Sequence, residues 1–218
     1  MNKLKINLDL NDVSLVANLN QPQEPSAMVI FAHGSGSSRL SPRNNYVADV
    51  LNRQNISTLL TDLLTPDEDQ VYENRFNIDL LTDRLIRVTE KTLEQLAFDD
   101  LPLGFFGAST GAASALDAAA FLGPTIKAVV SRGGRPDLAK NLDRVKAPTL
   151  LIVGSLDTQV INLNEHAYNQ LQGEKKIEII EGATHLFEES GTLELVAKNA
   201  AEWFDIHLCH AVEEQRTH

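Results

Sequence analysis

A serine stands between two glycines in Gly107-Ala108-Ser109-Thr110-Gly111. An apolar run from Leu101 to Phe106 comes before this segment, and a small-residue run of helical pattern, Ala112 to Leu122, comes after it. Glycines two positions either side of a serine, between a strand and a helix, predict a turn too tight for flanking side chains. Such a turn holds the serine hydroxyl above the edge of the sheet. Ser109 is therefore predicted to be a nucleophile, and the alternative is a purely structural glycine- and serine-rich turn.

The flanking sequence predicts an α/β fold, because apolar runs of strand length alternate with longer helical patterns. Two alternating segments, Leu4–Leu10 and Val13–Leu19, predict a hairpin that turns at Asn11-Asp12. The run Ala27–Ala32 is continuously apolar, as in a strand buried on both faces. Later strands alternate with helices, which implies βαβ units, a largely parallel sheet and helices on both faces. The remaining predicted strands are Ser57–Leu64, Ile126–Val130, Thr149–Val153 and Lys176–Ile180, and the remaining predicted helices are Pro42–Gln54, a long helix with the apolar stripe Ile78, Leu81, Leu85, Val88 and Leu96, Asp137–Val145, Asn162–Leu171 and Leu193–Leu208.

Two connections bear on access to the site. The segment Thr65–Asn74 is acidic and contains Pro66, so it is predicted to be a loop. The connection from Ser131 to Pro148 is long enough for only one short helix. We therefore expect no substantial lid, and a shallow, open pocket.

Length and composition set the class of protein. The 218 residues suffice for one domain with a full core, so we expect a single domain over 1–218 with a frayed polar tail at about 211–218. The formal net charge of −11 disfavours partners such as nucleic acid and anionic membrane surfaces. The lone cysteine, Cys209, excludes an internal disulfide and a cysteine-cluster metal site. No secretory signal or membrane-spanning segment is evident, so a cytoplasmic location is expected.

A serine nucleophile needs a base, and the base needs an orienting group. Asp157 follows the predicted strand at Thr149–Val153, and His185 follows the last predicted strand. Carboxyl ends of parallel strands gather functional groups at one edge of a sheet, and Ser, Asp, His is the chain order expected on this scaffold. We therefore predict Ser109 as nucleophile, His185 as general base and then acid, and Asp157 as the carboxylate that sets the imidazole tautomer. The acids Asp62, Asp143 and Glu165 lie in less suitable segments.

The developing oxyanion needs hydrogen-bond donors. One predicted donor is the amide of Thr110, and the other is the amide of Ser35, with Gly34 as the fallback. His33, at the start of this glycine-rich loop, is predicted to brace it through hydrogen bonds. The loop lacks the lysine of a P-loop and the spacing of a dinucleotide motif.

Arginines also lie near the predicted crevice. Either Arg132 or Arg39 is a candidate to bind a carboxylate or other anion on the substrate. The alternative is that both are solvated or ion-paired on an acidic protein.

Over nearly its whole length the chain resembles the α/β-hydrolase superfamily, and within it the small dienelactone-hydrolase-like branch. The resemblance rests on Phe31–Arg39, Gly107–Gly111, Gly154–Asp157 and Gly182–His185. It implies a twisted, mostly parallel sheet of about eight strands and a hydrolase that needs no metal and no organic cofactor. Dienelactone hydrolases proper use a cysteine nucleophile, and the loop after His33 lacks the acidic residue expected in them. A serine esterase of unassigned substrate is therefore expected.

Three functions remain open at this point. The first is hydrolysis of a small-molecule carboxylic ester, or thioester, through an acyl-Ser109 intermediate. The second is a non-catalytic binding or regulatory module on the same fold, since fold alone does not settle function. The third is acyl transfer to an alcohol or amine. The oligomeric state does not follow from the sequence.

Overall fold

The computed structural model describes residues 1–96 and 101–210. An eight-stranded sheet runs through them in the order β1-β2-β4-β3-β5-β6-β7-β8. β1 and β2 form an antiparallel hairpin, β2 lies antiparallel to β4, and the other neighbouring strands are parallel. The strands are β1 (Asn2–Asp9), β2 (Ser14–Gln21), β3 (Ala27–Ala32), β4 (Ile56–Thr61), β5 (Leu103–Ala108), β6 (Ile126–Arg132), β7 (Thr149–Gly154) and β8 (Lys175–Ile180). The helices are α1 (Pro42–Arg53), α2 (Pro66–Gln70), α3 (Ile78–Leu96), α4 (Thr110–Leu122), α5 (Thr158–Gln170) and α6 (Thr192–Phe204).

Helices cover both faces of the sheet, as the sequence predicts. Along β3, Val29 and Phe31 pack into the core beneath α1 and α6. Their neighbours Met28 and Ile30 pack into the core beneath α3 and α4. All four side chains are buried, and burying each contributes about 1.5–3 kcal/mol to stability. A strand covered on both sides must be apolar at every position, which is why the run is continuous. The predicted tail at 211–218 lies outside the described residues.

The prediction of a loop over Thr65–Asn74 is wrong. The segment forms α2 and then a 3-10 helix at Tyr72–Phe76. The Thr65 hydroxyl accepts a hydrogen bond from the Glu68 amide, and the Glu68 carboxylate accepts one from the Thr65 amide. This capping box satisfies two backbone donors at the helix start, and Pro66 sits at the first helical position, where it is tolerated.

The prediction of one short helix over Asp137–Val145 is also wrong. Two separate 3-10 helices replace it, Pro136–Leu138 and Leu142–Arg144. The Asp117 carboxylate accepts hydrogen bonds from the Lys140 and Asn141 backbone amides. Those amides therefore cannot bond to carbonyls four residues back, which interrupts the helix. The connection accordingly carries no substantial lid.

The last helix is shorter than predicted. α6 ends at Phe204, and a π-helical segment, Asp205–His210, continues the chain. Among the helices that the structure describes, none has the length and apolar character needed to cross a membrane.

Candidate active site

Ser109 occupies a sharp turn between β5 and α4. Its backbone has φ 50° and ψ −122°, a left-handed conformation that costs a non-glycine residue about 1–3 kcal/mol. The flanking glycines are required by close packing: a Cβ at Gly107 would lie 2.5 Å from Ala112 Cα, and one at Gly111 would lie 2.3 Å from the Ala32 carbonyl oxygen. The tight strand–turn–helix geometry predicted from the glycine spacing is confirmed. It presents Ser109 at the carboxyl edge of the sheet.

The acid and the imidazole come from the ends of the next strands. Asp157 follows β7 and directly precedes α5, whereas His185 lies in the loop after β8. Asp157 Oδ2 and His185 Nδ1 are 2.6 Å apart. Since a carboxylate only accepts, Nδ1 carries the proton and Nε2 is left as the acceptor. This arrangement leaves the imidazole free to take a proton at Nε2.

The glycine-rich loop after β3 lies against the serine. A Cβ on Gly34 would lie 2.9 Å from Ser109 Cβ, so only glycine lets the loop approach this closely. The Ser35 amide donates a 2.8 Å hydrogen bond to Thr110 Oγ1. The Ser35 amide, one of the predicted oxyanion donors, is therefore already hydrogen-bonded to the side chain of Thr110, the other predicted donor residue.

His33 anchors this loop through two hydrogen bonds of its imidazole ring. Its Nδ1–H donates to the Gly34 carbonyl at 2.9 Å, and its Nε2 accepts from the Leu63 amide at 3.3 Å. Burial lowers the pKa of His33, which matches a neutral ring with one donor and one acceptor nitrogen. The bracing role predicted for His33 is confirmed.

Ser109 and His185 line one cavity of about 250 Å³. The cavity walls include Gly34, Ser35 and Leu186. In the described part of the chain, no hydrogen bond joins Ser109 Oγ to His185. Serine and imidazole often move into hydrogen-bond distance only when substrate binds.

The cavity is cationic although the chain is acidic. Of the described residues that line it, Arg43 and Arg132 are positively charged and none is Asp or Glu. Arg132 is 5% exposed, and its Nη2 donates to Asn44 Oδ1 at 3.0 Å. Its guanidinium carbon also lies 6.0 Å from the centre of the Phe187 ring. Burial, and secondarily the charge of Arg43, lowers the pKa of Arg132 to about 10.

The three arginines Arg132, Arg43 and Arg39 differ in their partners. No acidic side chain pairs with Arg132 among the residues described here, whereas Arg43 at the cavity mouth pairs with the exposed Glu188 at 3.0 Å. Arg39 is paired with Asp62 at 2.5 Å and does not line the cavity. The structure therefore places Arg132, and not Arg39, beside Ser109.

Other candidate residues lie elsewhere. Within residues 1–96 and 101–210, no three His, Cys, Asp or Glu side chains are grouped as a metal site requires. Cys209 is half-buried, its Sγ lies 3.3 Å from Ser26 Oγ, and burial raises the pKa of its thiol. A raised pKa makes the reactive thiolate scarce at neutral pH.

Comparison with known proteins identifies the family. No protein-family model matches the chain. A dienelactone hydrolase from Anabaena variabilis has a crystal structure that superposes with a TM-score of 0.92 and 49% identity, over 95% of this chain and 98% of that one. The chain belongs to the dienelactone-hydrolase-like branch of the α/β-hydrolase superfamily. A serine hydrolase without a lid from Xanthomonas campestris shares this hydrolase fold, with a TM-score of 0.78 and 20% identity over 95% of this chain and 96% of that one.

Relatives of this chain are also found in longer proteins. A protein of Mycobacterium tuberculosis that bears the name "Putative phosphoribosyl transferase" is 54% identical over 198 residues, which is 90% of this chain. Those residues make up 45% of the mycobacterial protein. The chain thus spans about half the length of the curated relatives that it matches.

Sequence reasoning missed several side chains in and around the cavity that Ser109 lines. Asn44 and Arg43 lie in the first turn of α1, and Phe187 lies two residues after His185 with a φ of 54°. A polar first turn directly after a glycine-rich loop was the available signal for Asn44 and Arg43. Nothing in the sequence distinguishes Phe187 from an ordinary core aromatic residue.

Proposed function

We propose that this hydrolase cleaves a small-molecule carboxylic ester or thioester through an acyl-Ser109 intermediate. The observation that carries the proposal is the 2.6 Å contact between Asp157 and His185, with His185 facing the cavity that Ser109 lines. A fixed tautomer with a free Nε2 is what a general base for a serine hydroxyl requires.

In the acylation step, Ser109 Oγ attacks the ester carbonyl carbon while His185 Nε2 takes the hydroxyl proton. Asp157 stabilises the imidazolium that forms. The Thr110 amide, at the start of α4, donates to the developing oxyanion. The second donor is the amide of Gly34, because the Ser35 amide is already bonded to Thr110 Oγ1. The imidazolium then returns the proton to the leaving alcohol or thiol as the C–O or C–S bond breaks.

Deacylation repeats the chemistry with water. His185 takes a proton from water, the resulting hydroxide attacks the acyl carbon, and Ser109 leaves with the proton that His185 returns. The cavity is open to solvent, which favours water as the acceptor over an alcohol or amine. Hydrolysis is therefore proposed ahead of acyl transfer. A serine and an imidazole that line the same cavity suit acyl chemistry, so we do not assign phosphoribosyl transfer to this chain.

Turnover of p-nitrophenyl acetate and butyrate tests the proposal. Ser109→Ala should lower kcat by at least about 10³-fold, because the nucleophile is lost. Ser190→Ala, at an exposed serine that does not line the cavity, is the control and should retain activity. Equal rates for Ser109→Ala and the unmodified protein would falsify the proposal. A fluorophosphonate that leaves Ser109 unlabelled would favour the non-catalytic binding module instead.

We further propose that Arg132 binds a negatively charged group on the ester. A buried guanidinium without a carboxylate partner retains unmet charge, and a substrate anion can supply the partner. Arg43 is paired with Glu188 at the mouth, so one positive charge, that of Arg132, remains unmatched. A singly charged group such as a carboxylate would balance it.

A further inference from the structure

The backbone of Ser109 is held on both sides by Arg132, the last residue of β6, and by the loop that follows it. The Ser109 amide donates to the Arg132 carbonyl at 3.2 Å, and the Ser109 carbonyl accepts from the Arg135 amide at 3.0 Å. A serine in left-handed conformation persists only where surrounding bonds enforce it. The segment 132–135, which we call the bracket loop, supplies two of those bonds.

The bracket loop is itself anchored at two points. The Gly133 amide donates to the Ile152 carbonyl of β7 at 2.8 Å. The Gly134 carbonyl accepts a 3.0 Å hydrogen bond from Asn164 Nδ2. A Cβ on Gly134 would lie 1.9 Å from Ser131 Oγ and 2.7 Å from Ala112 Cβ, so the loop is tightly packed where Asn164 holds it.

Asn164 is an unusual residue for its position. It is fully buried in the middle of α5, its Oδ1 has no hydrogen-bond partner, and its Nδ2 bonds to the carbonyls of Gly134 and Val160. Asparagine is a poor helix former, and a buried acceptor without a partner is destabilising. An apolar residue would avoid both penalties at this position, but it would leave the Gly134 carbonyl without its donor.

The same helix also positions the acid–base pair. α5 begins directly after Asp157, which holds His185, and Asn164 follows seven residues later, about 10 Å along the helix axis. One rigid element thus fixes the imidazole at its start and the bracket loop two turns on. The relative placement of base and nucleophile depends on both attachments.

We infer that Asn164 is a positioning residue for Ser109, acting through the bracket loop. The inference rests on the proposed serine-hydrolase function. Loss of the Asn164 amide should let the Ser109 backbone drift, which lowers kcat while KM changes little, because Asn164 does not line the cavity that receives the ester.

The chain offers a matched control in Asn52. It too is a buried helical asparagine that donates Nδ2 to a backbone carbonyl, that of Ile56, and its Oδ1 also has no partner. Asn52 lies on α1 and does not line the cavity. Asn164→Leu and Asn52→Leu therefore remove comparable buried amides, and only the first one touches the bracket loop.

The experiment compares kcat, KM and thermal unfolding of both variants on p-nitrophenyl butyrate. We expect similar losses of Tm, a fall in kcat of about tenfold or more for Asn164→Leu, and a change under about twofold for Asn52→Leu. Labelling of Ser109 by a small fluorophosphonate should slow in parallel with kcat. Equal kcat losses in the two variants, or an unchanged kcat in Asn164→Leu, would overturn the inference.

A second variant covers the case in which Asn164→Leu does not fold. Asn164→Asp keeps the side-chain volume, and burial raises the pKa of the new carboxyl. While protonated, the carboxyl can still donate to Gly134; once ionised, it repels that carbonyl. We expect kcat of Asn164→Asp to fall as pH rises over a range in which kcat of Asn52→Asp does not, and parallel pH profiles would contradict the inference. An unmodified protein without esterase activity would instead contradict the proposed function.

Discussion

The Ser35 amide and the Thr110 hydroxyl are joined by a 2.8 Å hydrogen bond that spans 75 residues of sequence. This bond ties the glycine-rich loop after β3 to the first residue of α4. Because the bond engages the Ser35 amide, the amides proposed to stabilise the oxyanion are those of Thr110, at one end of the bond, and of Gly34, next to its other end. Thr110 is thus able to act on catalysis through its side chain as well as its backbone.

Two substitutions at Thr110 separate these roles. Thr110→Ser keeps the hydroxyl, and Thr110→Val keeps the shape but removes the acceptor. We expect kcat to fall about tenfold in Thr110→Val, because a bond of about 1–2 kcal/mol that positions the loop is lost. Thr110→Ser should stay within about threefold. If kcat of Thr110→Val were higher than that of the unmodified protein, the bond would only withhold the Ser35 amide from the oxyanion. That result would contradict the positioning role of the bond.

The Asp157–His185 pair gives a second prediction. Asp157→Asn should keep the geometry but present an amide to His185 Nδ1, which favours the wrong tautomer. We expect kcat on p-nitrophenyl butyrate to fall about 10³–10⁴-fold. Asp143→Asn, at an exposed acid in the connection after β6, is the control and should remain fully active. Comparable activity in both variants would show that Asp157 does not take part in catalysis.

Buried His33 predicts a pH dependence of stability. Burial lowers its pKa below the 6.5 of an ordinary imidazole, so between the folded and unfolded pKa values the unfolded chain binds more protons. Stability contributed by neutral His33 is therefore complete above about pH 6.5 and is lost as the pH falls towards the lowered folded value. Measured from pH 7.5 to 5, Tm should fall less steeply in His33→Gln than in the unmodified protein. His166→Gln, at an exposed site on α5, should retain the steep dependence, and identical slopes in all three would contradict the assignment.

The parts of this site that were predictable from sequence are those set by local backbone constraints. The glycine spacing around Ser109 predicts the turn because no side chain fits at Gly107 or Gly111. The order of strands and helices places Asp157 and His185 at the same edge of the sheet. These inferences needed no knowledge of which side chains meet across the fold.

The choice between Arg39 and Arg132 was not predictable in the same way. Arg39 is neutralised by Asp62, which follows β4, whereas Arg132 meets the neutral Asn44 of α1. Both pairings join segments far apart in sequence, so no local sequence pattern predicts them. The role inferred for Asn164 depends likewise on a carbonyl 30 residues away.

A matched pair of esters tests the anion site at Arg132. Mono-p-nitrophenyl succinate carries a free carboxylate, and its methyl ester is the neutral counterpart. With a pKa of about 10, Arg132 is charged at neutral pH, so the unmodified protein should prefer the anionic ester. Arg132→Gln should lower kcat/KM for the anionic ester about 10–100-fold, corresponding to a charge-assisted hydrogen bond of about 1.5–3 kcal/mol, and change the neutral ester by less than about threefold. Arg132→Lys should lie between, because an ammonium cannot form the two parallel hydrogen bonds of a guanidinium.

Arg39→Gln is the control for that experiment, since Arg39 lies outside the cavity and its charge is already balanced by Asp62. It should leave the ratio of the two kcat/KM values unchanged. The preference for the anionic ester should also weaken only modestly as salt is raised, because a buried charge is screened less than an exposed one. If Arg132→Gln lowers turnover of both esters equally, Arg132 supports the shape of the cavity and does not bind substrate charge.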